Sequence, residues 1–158
     1  MLVILIVISI LETNMPIRFF FTELKNIPIK RKQLKAFIKS IFLIENKFFA
    51  SLNFIFCSDD YLFNINKKYL NHDYYTDILT FDISETNNLI IGEVYISLDR
   101  VKDNAIIQKT TFEEELHRVI FHGVLHLCGY KDKSKKDKEM MTALENKNLK
   151  AYFTKCST

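Results

Sequence analysis

Apolar positions recur along the chain with two periods, and the switches between them mark out the elements. Ile17 to Thr22 is a short β-branched and aromatic run that predicts a strand. Between residues 30 and 47, Leu34, Phe37, Ile38, Ile41 and Phe42 fall three and four apart, which predicts an amphipathic helix. Leu52 to Cys57 reads as a buried strand. Ser58 is placed to cap a helix through Tyr69, with Asp59 and Asp60 in its first turn, where the helix dipole favours acids. Asn71-His72-Asp73 breaks it. Asp77 to Ile83 and Leu89 to Ser97 are strands joined by Glu85-Thr86-Asn87-Asn88, a pattern that predicts a hairpin.

Three helices complete the chain. One covers about residues 97–108. The next opens at Thr111 with Glu114 three residues on, a capping box, and stops at Gly129. The last opens at Ser134 with Asp137 and turns Met140, Met141, Leu144 and Leu149 inward. The order predicts an α+β fold, a small mixed β-sheet packed with helices.

Composition narrows this picture. The chain has 158 residues, 48% hydrophobic and 26% charged, which suits one ordinary globular domain. Only 3 Gly and 2 Pro exclude collagen-like and linker-rich readings. A net charge of +3 permits an anionic partner without requiring one. Cys57, Cys128 and Cys156 are odd in number with no CxxC pair, so neither a disulfide framework nor a thiolate zinc site is expected. Reduced thiols in a cytoplasmic protein are the plainer expectation. The apolar run Met1 to Leu11 is shorter than the roughly 20 residues of a spanning helix and lacks the flanks of a signal peptide. No membrane association is expected. Met15 is the expected working start, residues 1–14 an upstream extension outside the fold, and residues 15–158 a single domain.

Candidate chemistry concentrates in EEELHRVIFHGVLHLCGYKDK, residues 113–133. His122 and His126 are four apart on a predicted helix, so they differ by only about 40° around its axis and can bind one metal. They lie beside the stripe of Phe112, Leu116, Val119 and Leu127, where two rings without partners would be costly to bury. Gly123 inside this helix implies close approach by a strand or a substrate. After the Gly129 stop the chain can return a third ligand, and Asp132 is the candidate, with His72 its rival from a separate loop. Two His and one carboxylate suit zinc and leave a position open. Cys128 and His117 lie about 160° and 140° from the nearer member of the pair, so both are expected to be core residues. A metallopeptidase helix needs Glu directly after its first His; here that residue is Gly123, which excludes a peptidase.

HGVLHLCGYKDK, together with YLFNINKKYLNHDYYTDILTF and GEVYIS before it, resembles the YbeY family of ribosomal-RNA maturation endoribonucleases, in the same motif order from about Met15 to the end. The resemblance implies a single α+β domain with the HGxLH helix central, and one zinc held by that pair and a third ligand shortly after Gly-Tyr. It implies a single-strand-type endoribonuclease that uses a zinc-activated water in 16S rRNA 3′-end maturation and ribosome quality control. Its partners would be the rRNA precursor and the small ribosomal subunit, with ribosomal proteins or ribosome-associated GTPases as further candidates. His122 and His126 match the first two metal ligands, and the third falls on Asp132 where the family has His. That carboxylate widens the choice to other divalent metals. Leu70 replaces a basic residue common in the family, and Glu93 stands where Asp usually follows the glycine.

Arg118, one turn before His122, is the candidate for steadying phosphate charge, with a surface pair to Glu114 or Glu115 as its alternative. Lys131, Lys133, Lys135 and Lys136 are candidates for binding the RNA backbone. The reading from another class is a non-catalytic ribosome-assembly or RNA-binding factor with a mainly structural metal.

Overall fold

The computed structural model describes residues 15–22, 27–85 and 89–156. In chain order the elements are β1 (Ile17–Phe21), α1 (Arg31–Ile44), β2 (Phe49–Cys57), α2 (Asp59–Leu70), β3 (Ile78–Asp82), β4 (Ile90–Ser97), α3 (Leu98–Gln108), α4 (Phe112–Leu127) and α5 (Lys135–Cys156). The expected upstream extension, residues 1–14, and the tip of the expected hairpin turn, residues 86–88, lie outside the described residues.

One four-stranded sheet runs in the order β1-β2-β4-β3. β1 and β4 both pair parallel with β2, and β3 pairs antiparallel with β4 as a hairpin should, leaving β3 at an edge. Alternation assigns the faces. Gly92 and Val94 of β4 point to α4, whereas Glu93 and Tyr95 join Tyr61 and Ile65 of α2 on the other face. The larger core gathers Leu34, Ile38 and Phe42 of α1, Phe54 and Phe56 of β2, Leu116, Ile120 and Phe121 of α4, and Leu149 and Tyr152 of α5. A smaller cluster of Cys57, Leu62 and Leu79 sits under α2.

Local chemistry sets the boundaries. The Ser58 hydroxyl accepts from Tyr61 N at 3.3 Å and opens α2, while Asn71 in the left-handed region closes it. The Thr111 hydroxyl accepts from Glu114 N at 3.1 Å at the start of α4. Ser134 and Asp137 exchange side-chain-to-backbone bonds, both 3.1 Å, across the start of α5, a complete capping box. β2 begins at Phe49 rather than Leu52, the register slipping between Phe49 and Ser51 as the chain leaves α1. One expected core residue is corrected: Met140 is 50% exposed. Met141, Leu149 and Tyr152 form the buried face of α5, and neighbouring residues about 100° apart cannot both lie at its centre.

Candidate metal centre

The site is built where α4 crosses the β3–β4 edge and then stops. A Cβ on Gly123 would stand 2.9 Å from both Ile78 Cδ1 and Val94 Cγ1, so the approaching partner is the sheet. At the far end Gly129 adopts φ +105°. Its N–H donates to His126 O at 2.9 Å and Tyr130 N–H donates to Leu125 O at 3.1 Å, a Schellman stop that reverses the chain. The reversal brings the Tyr130 carbonyl to His126 and Asp132 back over the helix. Tyr130 is tethered by its hydroxyl, which donates to Glu45 Oε2 at 2.8 Å.

Two acceptors settle which nitrogens are free. His122 Nδ1 lies 2.7 Å from Glu145 Oε1, and His126 Nδ1 lies 2.9 Å from the Tyr130 carbonyl oxygen. Both acceptors require a proton on Nδ1, which leaves each Nε2 as a lone pair when the rings are neutral. Those Nε2 atoms stand 2.9 Å apart, with Asp132 Oδ2 at 3.8 Å from His122 and 3.6 Å from His126. Among the described residues, His122, His126 and Asp132 form a group whose ligating atoms all lie within 4.8 Å of one another. Converging lone pairs repel unless a cation lies between them, so the donor set fits a divalent metal.

Charge around the triad agrees. Burial opposes protonation of His122, but the hydrogen bond and charge of Glu145, with Asp77 and Asp132 behind it, raise its pKa above the ordinary imidazole value. Burial and then the neighbouring His122 lower that of His126. The triad opens onto a cleft of about 540 Å³. One wall is Thr76 to Thr80 with Asp82, and the other includes Leu127, Gly129, Tyr130 and Lys131.

The remaining candidates fall in definite places. Lys131 lines the cleft, and Lys133, Lys135 and Lys136 are exposed where the chain enters α5. Arg118 Nε is 3.3 Å from Glu115 Oε2 and its Nη1 is 2.7 Å from Asn146 Oδ1; it is not among the cleft-lining residues. His72 stacks on Tyr74 at 5.1 Å with the Tyr74 hydroxyl 3.0 Å from its Nδ1, apart from the triad. His117 is a core ring, and burial pushes the Cys128 thiol up to about 12, unsuited to a ligand that must be thiolate. Glu93 is on the opposite sheet face, accepting from the Tyr95 hydroxyl at 2.9 Å.

Sequence reasoning missed Glu145, and missed Asp77 and Asp82 as part of the cleft wall. A signal for Glu145 was available. It occupies the centre of the Met141, Leu149 stripe, where a carboxylate calls for a partner.

A family described as Endoribonuclease YbeY matches this chain over residues 20–153. The Endoribonuclease YbeY of Cytophaga hutchinsonii is 50% identical over 132 residues, covering 83% of this chain and 92% of that protein. That of Karelsulcia muelleri is 54% identical over 113 residues, 70% of this chain and 79% of its own. The solution structure of TM1509 from Thermotoga maritima is similar with a TM-score of 0.59 at 28% identity, over 89% of this chain and 91% of the other.

Proposed function

Because the chain belongs to the YbeY endoribonuclease family, we propose that it is a metal-dependent endoribonuclease that hydrolyses phosphodiester bonds in unpaired RNA. Its substrate is the rRNA precursor on the small ribosomal subunit, and its role is 16S rRNA 3′-end maturation and ribosome quality control in the cytoplasm. The observation that carries this reading is the convergence of two tautomer-fixed imidazole nitrogens and one carboxylate at an open cleft. Among the described residues no helix is long and apolar enough to cross a membrane.

His122, His126 and Asp132 would hold the ion, with zinc favoured by two nitrogens and one oxygen. When bound, such an ion supplies Lewis acidity at a phosphoryl oxygen and lowers the pKa of water. The protein's own groups do the rest. Glu145 and the Tyr130 carbonyl hold the two Nδ1 protons, so the rings present fixed faces. Lys131 offers positive charge on one wall, while Asp77 and Asp82 make the other wall negative. A polyanion is therefore steered along the Lys131 side, towards Lys133, Lys135 and Lys136.

The test is cleavage of an unpaired RNA oligonucleotide and of precursor small subunits by untagged protein. Activity should vanish with chelator, return with zinc, and be absent from His122→Ala. Neutralising the four lysines together should weaken RNA binding and flatten its salt dependence without removing the metal. Subunit binding that persists with no cleavage by the parent would replace the enzyme with an assembly factor. Cleavage that survives both chelation and His122→Ala would belong to a contaminant.

A further inference from the structure

From the 2.7 Å contact between Glu145 and His122 we infer that Glu145, held in turn by Arg118, is a positioning residue that selects the metal-binding nitrogen of His122. The inference rests on the metal-dependent reading above.

Glu145 is 8% exposed on the buried face of α5, with Met141 at 2% and Leu149 at 4% on either side. A carboxylate in that stripe is retained at a cost unless its oxygens are engaged. Oε1 accepts the hydrogen bond from His122 Nδ1, and Oε2 faces Arg118 Nη1 at 3.9 Å. Arg118 is itself fixed. Its Nε reaches Glu115 Oε2 at 3.3 Å, and its Nη1 donates to Asn146 Oδ1 at 2.7 Å. Glu115 is 1% exposed, and its other oxygen accepts from Gln108 Nε2 at 3.1 Å. A chain of polar contacts thus runs from α3 through α4 to α5 and ends on a candidate ligand.

The distances decide what the chain is for. A network that only docked α5 on α4 would place the short contact between the two full charges, Glu145 and Arg118. Instead the short contact, 2.7 Å, goes to the imidazole Nδ1, and the guanidinium stands behind the carboxylate at 3.9 Å. That arrangement keeps the proton on Nδ1, leaves Nε2 free, and sets the ring at 86° to His126 so that both Nε2 atoms converge. Arg118 acts through Glu145 rather than on the substrate.

The experiment uses the full chain, stripped of metal and titrated with zinc against a chromophoric chelator, as parent, Glu145→Gln and Glu145→Ala. Zinc affinity should fall about 10-fold in the first, which keeps an acceptor oxygen, and up to about 100-fold in the second. Nitrogen-15 spectra of the metal-free proteins, taken above the imidazole titration range, should show His122 as the Nδ1–H tautomer in the parent and a mixture in Glu145→Ala. A purely structural role would lower the melting temperature while leaving tautomer and affinity unchanged. If Glu145→Ala does not fold, Glu145→Gln carries the test alone. Variants matching the parent's affinity within about twofold, well short of the usual loss, overturn the inference while the metal reading stands. A parent that takes up no zinc overturns both.

Discussion

His117 and His122 stand on the same helix, one turn and a half apart, in opposite surroundings. His117 is 1% exposed and packed flat on Tyr152, ring centroids 4.5 Å apart, with Phe121 and Phe153 around it. Its Nδ1 donates to the Glu113 carbonyl at 2.6 Å, and its Nε2 is buried with no hydrogen-bond partner among the described residues. Burial holds its pKa below the ordinary value, a neutral ring used as an aromatic plate. His122 is also desolvated, but Glu145 more than compensates and its Nε2 meets two further lone-pair donors. Desolvation is common to both, so desolvation alone does not make a ligand. A carboxylate behind the ring and converging donors in front of it do.

The widest separation between the two histidines should come from truncating each. His122→Ala should lose metal by well over the roughly 100-fold that an outer partner is worth, while its fold persists. His117→Ala should keep the metal and lose about 3 kcal/mol of stability, from the cavity left among Tyr152, Phe121 and Phe153. Chelator competition and thermal melting on both proteins check this, and metal loss in His117→Ala would erase the contrast. A smaller effect is expected at the third donor. Asp132→Ala should weaken zinc binding and Asp132→His should restore it, because either group completes the set. Unchanged affinity in Asp132→Ala would remove the carboxylate from the site.

Two finer measurements sharpen the comparison. Gly123→Val should cost about 1–3 kcal/mol in melting experiments, since even a bare Cβ there meets Ile78 and Val94 at 2.9 Å. Acid should then tell the two rings apart. The folded pKa of His117 is lowered from 6.5, so the unfolded chain takes up that proton first. The stability it contributes is complete above 6.5 and is lost as pH falls towards the folded value, with a slope of at most about 1.4 kcal/mol per pH unit. His122 without metal runs the other way, its contribution present below 6.5 and lost as pH rises through its raised folded value. The stability of the parent relative to His117→Phe should therefore fall on acidification, and a pH-independent relative stability would contradict a neutral buried ring.

Much of this is legible in the sequence. The helical spacing of Leu34, Phe37, Ile38, Ile41 and Phe42 gives α1, and all five are buried. Ser58, Thr111 and Ser134 announce three helix starts through side chains that do cap. His122 and His126 share a face because 3.6 residues make a turn, and Gly129 returns Asp132 because only a left-handed stop reverses the chain so tightly. Strand order was not legible, since the parallel pairing of β2 with β4 places a helix and the edge strand β3 between partners in sequence. Glu145 lay in plain sight as a charge in an apolar stripe, but its partner is 23 residues away on another helix. Met140 was misplaced because a run of two methionines does not say which one faces inward.

The most direct test of the account is the metal content of untagged protein purified without chelators. Two imidazole nitrogens and one carboxylate converging on one point predict about one divalent ion, zinc first, per chain. Protein that is folded, carries no metal and takes up none when zinc is supplied would contradict it.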